Sequence, residues 1–346
     1  MDAVSVPGKH REANLIRFLI VNATLALVVM GAEKQPKSPA RAGVKTPGVQ
    51  IPFASLVGEA DIAASTAPEW VAFAAGSFYA ASGGSILKVD AKTNKPGDPI
   101  GGLSKPCGGL VSAFGSLWSP QCGKRTLERI DPKTLQVTAS LATGVALAHG
   151  SVAASTDSIW LLTDDKTTLS RIDPDQNLVV GDIRLPAGCQ GLTVAEKSLW
   201  IACPARNKVL RINPATNILE ESIAVSGQPV AIAAGAEGVV WVLCRKDGKV
   251  DRIDGKTNKV TKTIELGVPD AEGSLAFGEG WLWVTQQGFP LARIDTKLET
   301  VVQQFYGTAG VGGGAIVTSS GALWLSTATG VKRIDPKRVL ATLPAE

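Results

Sequence analysis

From about residue 65 to the C-terminus, apolar residues come in short runs, each stopped by Gly, Pro, Asn or Asp. Only the N-terminal region sustains a helical period over fifteen residues or more. Short apolar or alternating runs between turn residues predict strands. In one stretch they fall at 230–234, 239–244, 248–253 and 259–266, separated by turns such as Asp254-Gly-Lys-Thr-Asn258. Runs like Val239-Val-Trp-Val-Leu243 are apolar at every position, which predicts strands covered on both faces.

The same unit recurs: a small-residue strand, then Gly-x-Leu-Trp, then x-Arg-Ile-Asp-Pro-x-Thr, then a strand ending in Gly. The basic position is Lys88, Arg129, Arg171, Arg211, Arg252, Arg293 and Arg333, at gaps of 41, 42, 40, 41, 41 and 40. The aromatic position is Tyr79, Trp118, Trp160, Trp200, Trp241, Trp283 and Trp324. Two markers in register over seven units of four strands predict an all-β fold, a seven-bladed β-propeller of four-stranded antiparallel blades. A ring must cover its open edges. Segment 51–64 is expected to pair with the outer edge of the last blade, and 338–343 to form that blade's own fourth strand.

A residue present in every blade does not mark a unique site. Asp90, Asp131, Asp173, Asn213, Asp254, Asp295 and Asp335 each open a turn, where the side chain accepts local amide hydrogens. The aromatic row supplies buried area between blades. The basic row is expected to lock blades, over a ring face or onto a neighbouring turn.

The N-terminus differs from the rest. Lys9, Arg11 and Arg17 precede the apolar run 18–30 and then Gly31-Ala32. The run is shorter than the ~20 residues of a membrane span. It predicts a signal peptide over 1–32, a flexible Pro-, Lys- and Ala-rich linker over 33–50, and the propeller over 51–346. Localisation is then periplasmic or secreted, with no stable transmembrane segment after cleavage. The formal charge of +4 comes from residues 1–50, with seven basic and three acidic side chains; the remainder carries 28 of each. A balanced body argues against a nucleic-acid partner. Export permits disulfides. Cys107 and Cys122 flank the first two strands of the second unit, and Cys189 and Cys203 those of the fourth, so each pair is placed for a cross-strand bridge. Cys244 repeats the position of Cys203, but Gln228 stands where its partner would be, leaving a half-buried thiol.

Specificity must lie in what breaks the repeat. Loops entering the first strand and leaving the second share one face, the mouth of the central channel. There, Glu69, His149, Gln190 and Glu272 occupy equivalent places, and Lys124, Arg125, Asp164, Asp165, Arg206, Arg245, Lys246, Gln286 and Gln287 follow the second strands. Polar groups around a funnel are a common ligand site. Of these, Glu69, His149, Gln190, Arg206, Arg245, Glu272 and Gln286 are the expected ligand-binding residues. His149 is the one histidine after the signal region and has the residue type for acid–base work near neutral pH. Gly310-Val-Gly-Gly-Gly314 lacks the Lys-Ser/Thr of a phosphate loop and is expected to be a turn.

Gly115-Ser-Leu-Trp118 followed by Leu127-Glu-Arg-Ile-Asp-Pro-Lys-Thr134, with its copies, resembles extracytoplasmic bacterial propellers of the YVTN (YncE-like) group. It is also similar to the virginiamycin B (streptogramin) lyase family. The second resemblance implies a magnesium-assisted ring opening that relies on histidines and a glutamate in the central site. His149 and Glu272 are the residues here that could take such parts. The expected function is a non-catalytic binding or interaction scaffold, a monomer presenting a protein or small-molecule ligand site at the propeller mouth. The alternative is a lyase acting by C–O cleavage in the funnel, for which Mg²⁺ or Ca²⁺ would be the bound cation; no other cofactor is implied.

Overall fold

Each repeat folds as an antiparallel meander running outward from the axis, as the computed structural model of residues 47–146 and 151–343 shows. Blade 4 is representative: Gln190–Ala195, Ser198–Cys203, Lys208–Asn213 and Ile218–Ala224 pair in that order. First strands of successive blades lie side by side around the ring, and Ile316–Ser319 of blade 7 meets Trp70–Ala74 of blade 1. The seven-bladed propeller is therefore closed. Its blades are not identical. Blade 1 has three regular strands and reaches Pro96 and Ile100 only through isolated bridges, because Pro96 and Pro99 cannot donate to a ladder. Among the described residues no helix is long and apolar enough to cross a membrane.

Continuous apolarity of the second strands follows from their place between two neighbours. Ser198–Cys203 is buried at all six positions, as is Ser116–Gln121. The described hydrophobic residues form seven clusters, one at each blade–blade interface. At the interface of blades 3 and 4, for example, Trp160 and Leu162 meet Leu199, Ile201 and Ile212. The tryptophans at 118, 160, 200, 241, 283 and 324 are among the largest fully buried side chains. The indole Nε1 of Trp200 donates to Ala195 O at 3.0 Å, so the same residue fills the interface and pins its own hairpin.

The Asp row is structural, as expected. Asp131 Oδ1 accepts from Lys133 N and Thr134 N at 2.7 and 3.1 Å, and Asp173 and Asp254 repeat the arrangement. These backbone donors hold the carboxyls of Asp90, Asp131, Asp173 and Asp254 below their ordinary pKa. Four residues after the Asp or Asn, the chain turns left-handed at Asn94, Leu135, Asn177, Asn217, Asn258 and Glu299. In the last repeat that place is Val339, whose branched side chain resists a positive φ. The turn instead runs on as the helix Pro336–Leu340, with Asp335 capping Lys337 N. The strand expected at 338–343 is therefore absent.

The N-terminal segment supplies what is missing. Ala60–Ala63 pairs antiparallel with Gly330–Ile334 and becomes the outer strand of blade 7. The expected clasp is present, with one addition: Val49–Pro52 joins blade 6 as a fifth strand, parallel to Thr300–Tyr306. That strand starts two residues earlier than the boundary read from the sequence. Between them, Phe53 and Leu56 enter the core with Trp283, Phe305, Leu323 and Val339. Residues 1–46, including the expected signal and most of the linker, lie outside the described residues.

Candidate functional site

Both expected disulfides are present, Cys107–Cys122 and Cys189–Cys203. Each ties the loop entering a first strand to the end of the second, and so stiffens the mouth rim of its blade. Cys244 is free and buried; desolvation, with Asp251 nearby, pushes its thiol pKa far up. It is an inert side chain rather than a nucleophile.

Three of the residues singled out at the mouth converge, and two others join them. Glu272 forms an ion pair with the Arg245 guanidinium. Arg245 also donates to Gln228 Oε1, from Nε at 3.2 Å and from Nη2 at 2.8 Å. On the neighbouring blades Lys166 Nζ donates to Gln190 Oε1 at 3.2 Å. Burial lowers the Lys166 pKa, and the negative charge of Glu272 works in the opposite direction. The cluster spans blades 3 to 6 and holds two cations, one carboxylate and two amides.

Local backbone places these groups. Asp164, Asp165 and Lys166 take three successive positive φ values of 48°, 54° and 69°, which costs of order 1–3 kcal/mol each for side-chain-bearing residues. This strained turn carries Lys166 to Gln190. On the other side, the glycine run 310–314 packs against the backbone of Glu272: a Cβ on Gly313, whose φ is 93°, would lie 2.3 Å from Glu272 O. The run is thus a turn, as expected, and glycine there permits the close approach that seats Glu272.

The other candidates do not join. Glu69 and Arg206 are exposed, and neither side chain bonds to another group among the described residues. Gln286 points inward, buried, with Nε2 donating to Val268 O at 3.3 Å. Arg125 bonds the carbonyls of Val145 and Gly144. His149 lies outside the described residues. Lys166 and Gln228 were missed in sequence because Lys166 follows two acidic residues in a polar loop and Gln228 fills a cysteine's place. Only the odd Asp-Asp-Lys at a turn where other blades carry Gly or Asn hinted at the first.

The described residues hold no group of three or more His, Cys, Asp or Glu side chains placed for a metal ion, and Arg245 occupies the mouth carboxylate. This donor set does not fit a divalent cation. It fits a polar ligand that offers acceptors to Lys166 and Arg245 and donors to the amides.

The chain matches no protein-family profile, and no curated protein matches it. Its fold is similar to that of a streptogramin B lyase, with a TM-score of 0.67 at 17% identity over 78% of this chain and 95% of that one. Virginiamycin B lyase from Staphylococcus aureus is similar too, at 0.66 and 16%, covering 78% and 94%. So is a catalytically inactive variant of that enzyme with quinupristin, at 0.66 and 16%, covering 79% and 97%. The likeness makes this a virginiamycin B lyase-like β-propeller in fold.

Proposed function

We propose that the protein is an exported, non-catalytic propeller that binds a small polar ligand at its mouth. The observation that carries this is the cluster of Lys166, Gln190, Gln228, Arg245 and Glu272, drawn from four blades onto one rim. A carboxylate engaged by a guanidinium is poorly placed as a general base, since the N–H groups occupy its lone pairs. The same pair is a good docking element, because a ligand carboxylate exchanges with Glu272 for Arg245. Two disulfides are compatible with an oxidising, extracytoplasmic location.

Native mass spectrometry of the purified protein, followed by the Lys166→Ala and Glu272→Gln variants, tests the reading. The expected result is a retained small molecule in the wild type that Lys166→Ala loses. The second reading is a lyase, favoured by the fold likeness to an enzyme solved with quinupristin and by a glutamate at the mouth. Turnover of quinupristin by the wild type, abolished in Glu272→Gln, would overturn the non-catalytic reading; an unchanged substrate is the expected outcome.

A further inference from the structure

The mouth cluster has more hydrogen-bond donors to spare than acceptors. Gln190 Oε1 accepts from Lys166 Nζ at 3.2 Å, and Gln228 Oε1 accepts twice from Arg245, at 3.2 and 2.8 Å. Both amides face cations, which donate only, so their oxygens must be the atoms turned to them. That leaves Nε2 of each amide free of any bond among the described residues. An ammonium carries three N–H groups, and Lys166 commits one of them, to Gln190. Against these donors stand one remaining lone pair on Gln190 Oε1 and the second oxygen of Glu272, because Gln228 Oε1 is filled and Arg245 holds Glu272 Oε1.

The charge of Lys166 is also unanswered. Elsewhere Lys249, Lys332 and Arg171 each meet a carboxylate, at 3.1, 2.6 and 2.9 Å, whereas half-buried Lys166 meets only the Gln190 amide. Asp164 and Asp165 precede it in the same turn, but both are exposed. Asp164 leans the other way, onto the loop entering blade 3: its backbone N donates to Gly144 O at 3.2 Å, and its Oδ1 would lie 3.6 Å from a Cβ on Gly144. The carboxylate whose field does reach Lys166 is Glu272 of blade 6, which Arg245 already engages. Three successive positive φ values hold Lys166 in this place, and backbone strain of that kind gathers at ligand clamps.

We infer that the ligand of this mouth is a small monocarboxylate whose oxygens accept from Lys166 Nζ and Gln190 Nε2. This rests on the reading that the mouth binds a small polar ligand, and names the chemical class. Since Gln190 Oε1 is bound to the ammonium, its Nε2 lies beside that ammonium, and the two offer neighbouring donors to one carboxylate. The seat is open without displacing Glu272 from Arg245. A neutral ligand would leave the Lys166 charge unmatched, and a cation would be repelled by it. Gln228 Nε2 remains as a donor to an acceptor elsewhere on the ligand.

Isothermal titration of the full protein with N-acetylglycinate tests this, against N-acetylglycinamide, which has nearly the same shape and no charge. The expected result is saturable binding of the carboxylate, at least about tenfold tighter than the amide. Lys166→Met keeps the apolar stem, removes the charge and should abolish the difference. Gln190→Glu gives Lys166 a carboxylate from the chain itself and should also abolish binding, while Glu272→Gln removes negative charge from the mouth and should tighten it. Thermal melts confirm that the variants remain folded. Equal affinity for the two probes, no binding of N-acetylglycinate, or undiminished discrimination in folded Lys166→Met would each overturn the inference. A neutral or cationic molecule retained in native mass spectrometry and lost in Lys166→Ala would overturn the carboxylate but keep the mouth site. No retained molecule and no binding of either probe would overturn both.

Discussion

The two faces of the ring are made from the same strands, yet only one is regular. On the turn face, Asp-capped turns, tryptophans and basic side chains repeat from blade to blade, and Arg129, Arg211 and Arg333 each bond to the turn of the next blade. At the mouth blades 2 and 4 share a disulfide position but the loops otherwise differ, and strain is tolerated, as at Asp164 to Lys166. Each turn-face lock contributes to one cooperative ring, so losing one is felt everywhere. The mouth bonds join half-exposed side chains whose loss leaves the strands untouched. Regularity marks what holds the protein together, and departures mark where it can bind. The 3–4 interface is instructive because the departure there lies on the regular face: Arg171 bonds Asp157 in its own blade, and Asn217 Oδ1 is left buried and unpaired.

This contrast can be broken most strongly at the ring closure. Deleting residues 49–64 removes the outer strand of blade 7 and the strand on blade 6, together with buried Phe53 and Leu56. The melting temperature should fall by at least about 10 °C, or cooperative folding should be lost; an unchanged melt would show that the ring closes without its clasp. Reducing the two disulfides frees loops with sequence separations of 15 and 14 residues. In the chain-entropy picture this costs about 3 kcal/mol each, read from denaturant unfolding with and without reductant.

Within the regular face, Arg211→Ala should cost about 1.5–3 kcal/mol, because it breaks a charge-assisted lock and leaves Asn258 unpaired. Arg171→Ala should cost visibly less, since it loses a partly exposed pair with Asp157 and no inter-blade bond. Equal losses would mean that the locks carry little of the ring's stability. At the mouth, Glu272→Gln should change stability by less than about 1 kcal/mol, as the pair with Arg245 is partly exposed. Acid should weaken the turn face. The folded pKa of Asp90, Asp131, Asp173 and Asp254 lies below the unfolded value of about 3.9, so their contribution is full above it and fades as pH falls through the folded values. Melts between pH 5 and 2 check this direction.

Much of the ring was legible in the chain. The Asp and Trp rows, both disulfides and the clasp follow from local chemistry and spacing, because a turn or a hairpin is decided by residues a few positions apart. The last blade was misread for the same reason: the Asp-Pro signal repeats there, and only Val339 at the left-handed position diverts it into a helix. At the mouth, Gln190, Arg245 and Glu272 were found as breaks in the repeat, whereas Lys166 and Gln228 look like ordinary loop residues.

The sequence by itself determined how many blades there are, what each is made of and which residues hold them, since a forty-residue period and turn chemistry act within a blade. Only the tertiary structure decided which mouth groups meet, that Gln286 turns inward, and that Arg171 leaves Asn217 without a partner. Those outcomes depend on contacts between blades, across side chains whose distances no spacing along the chain prescribes.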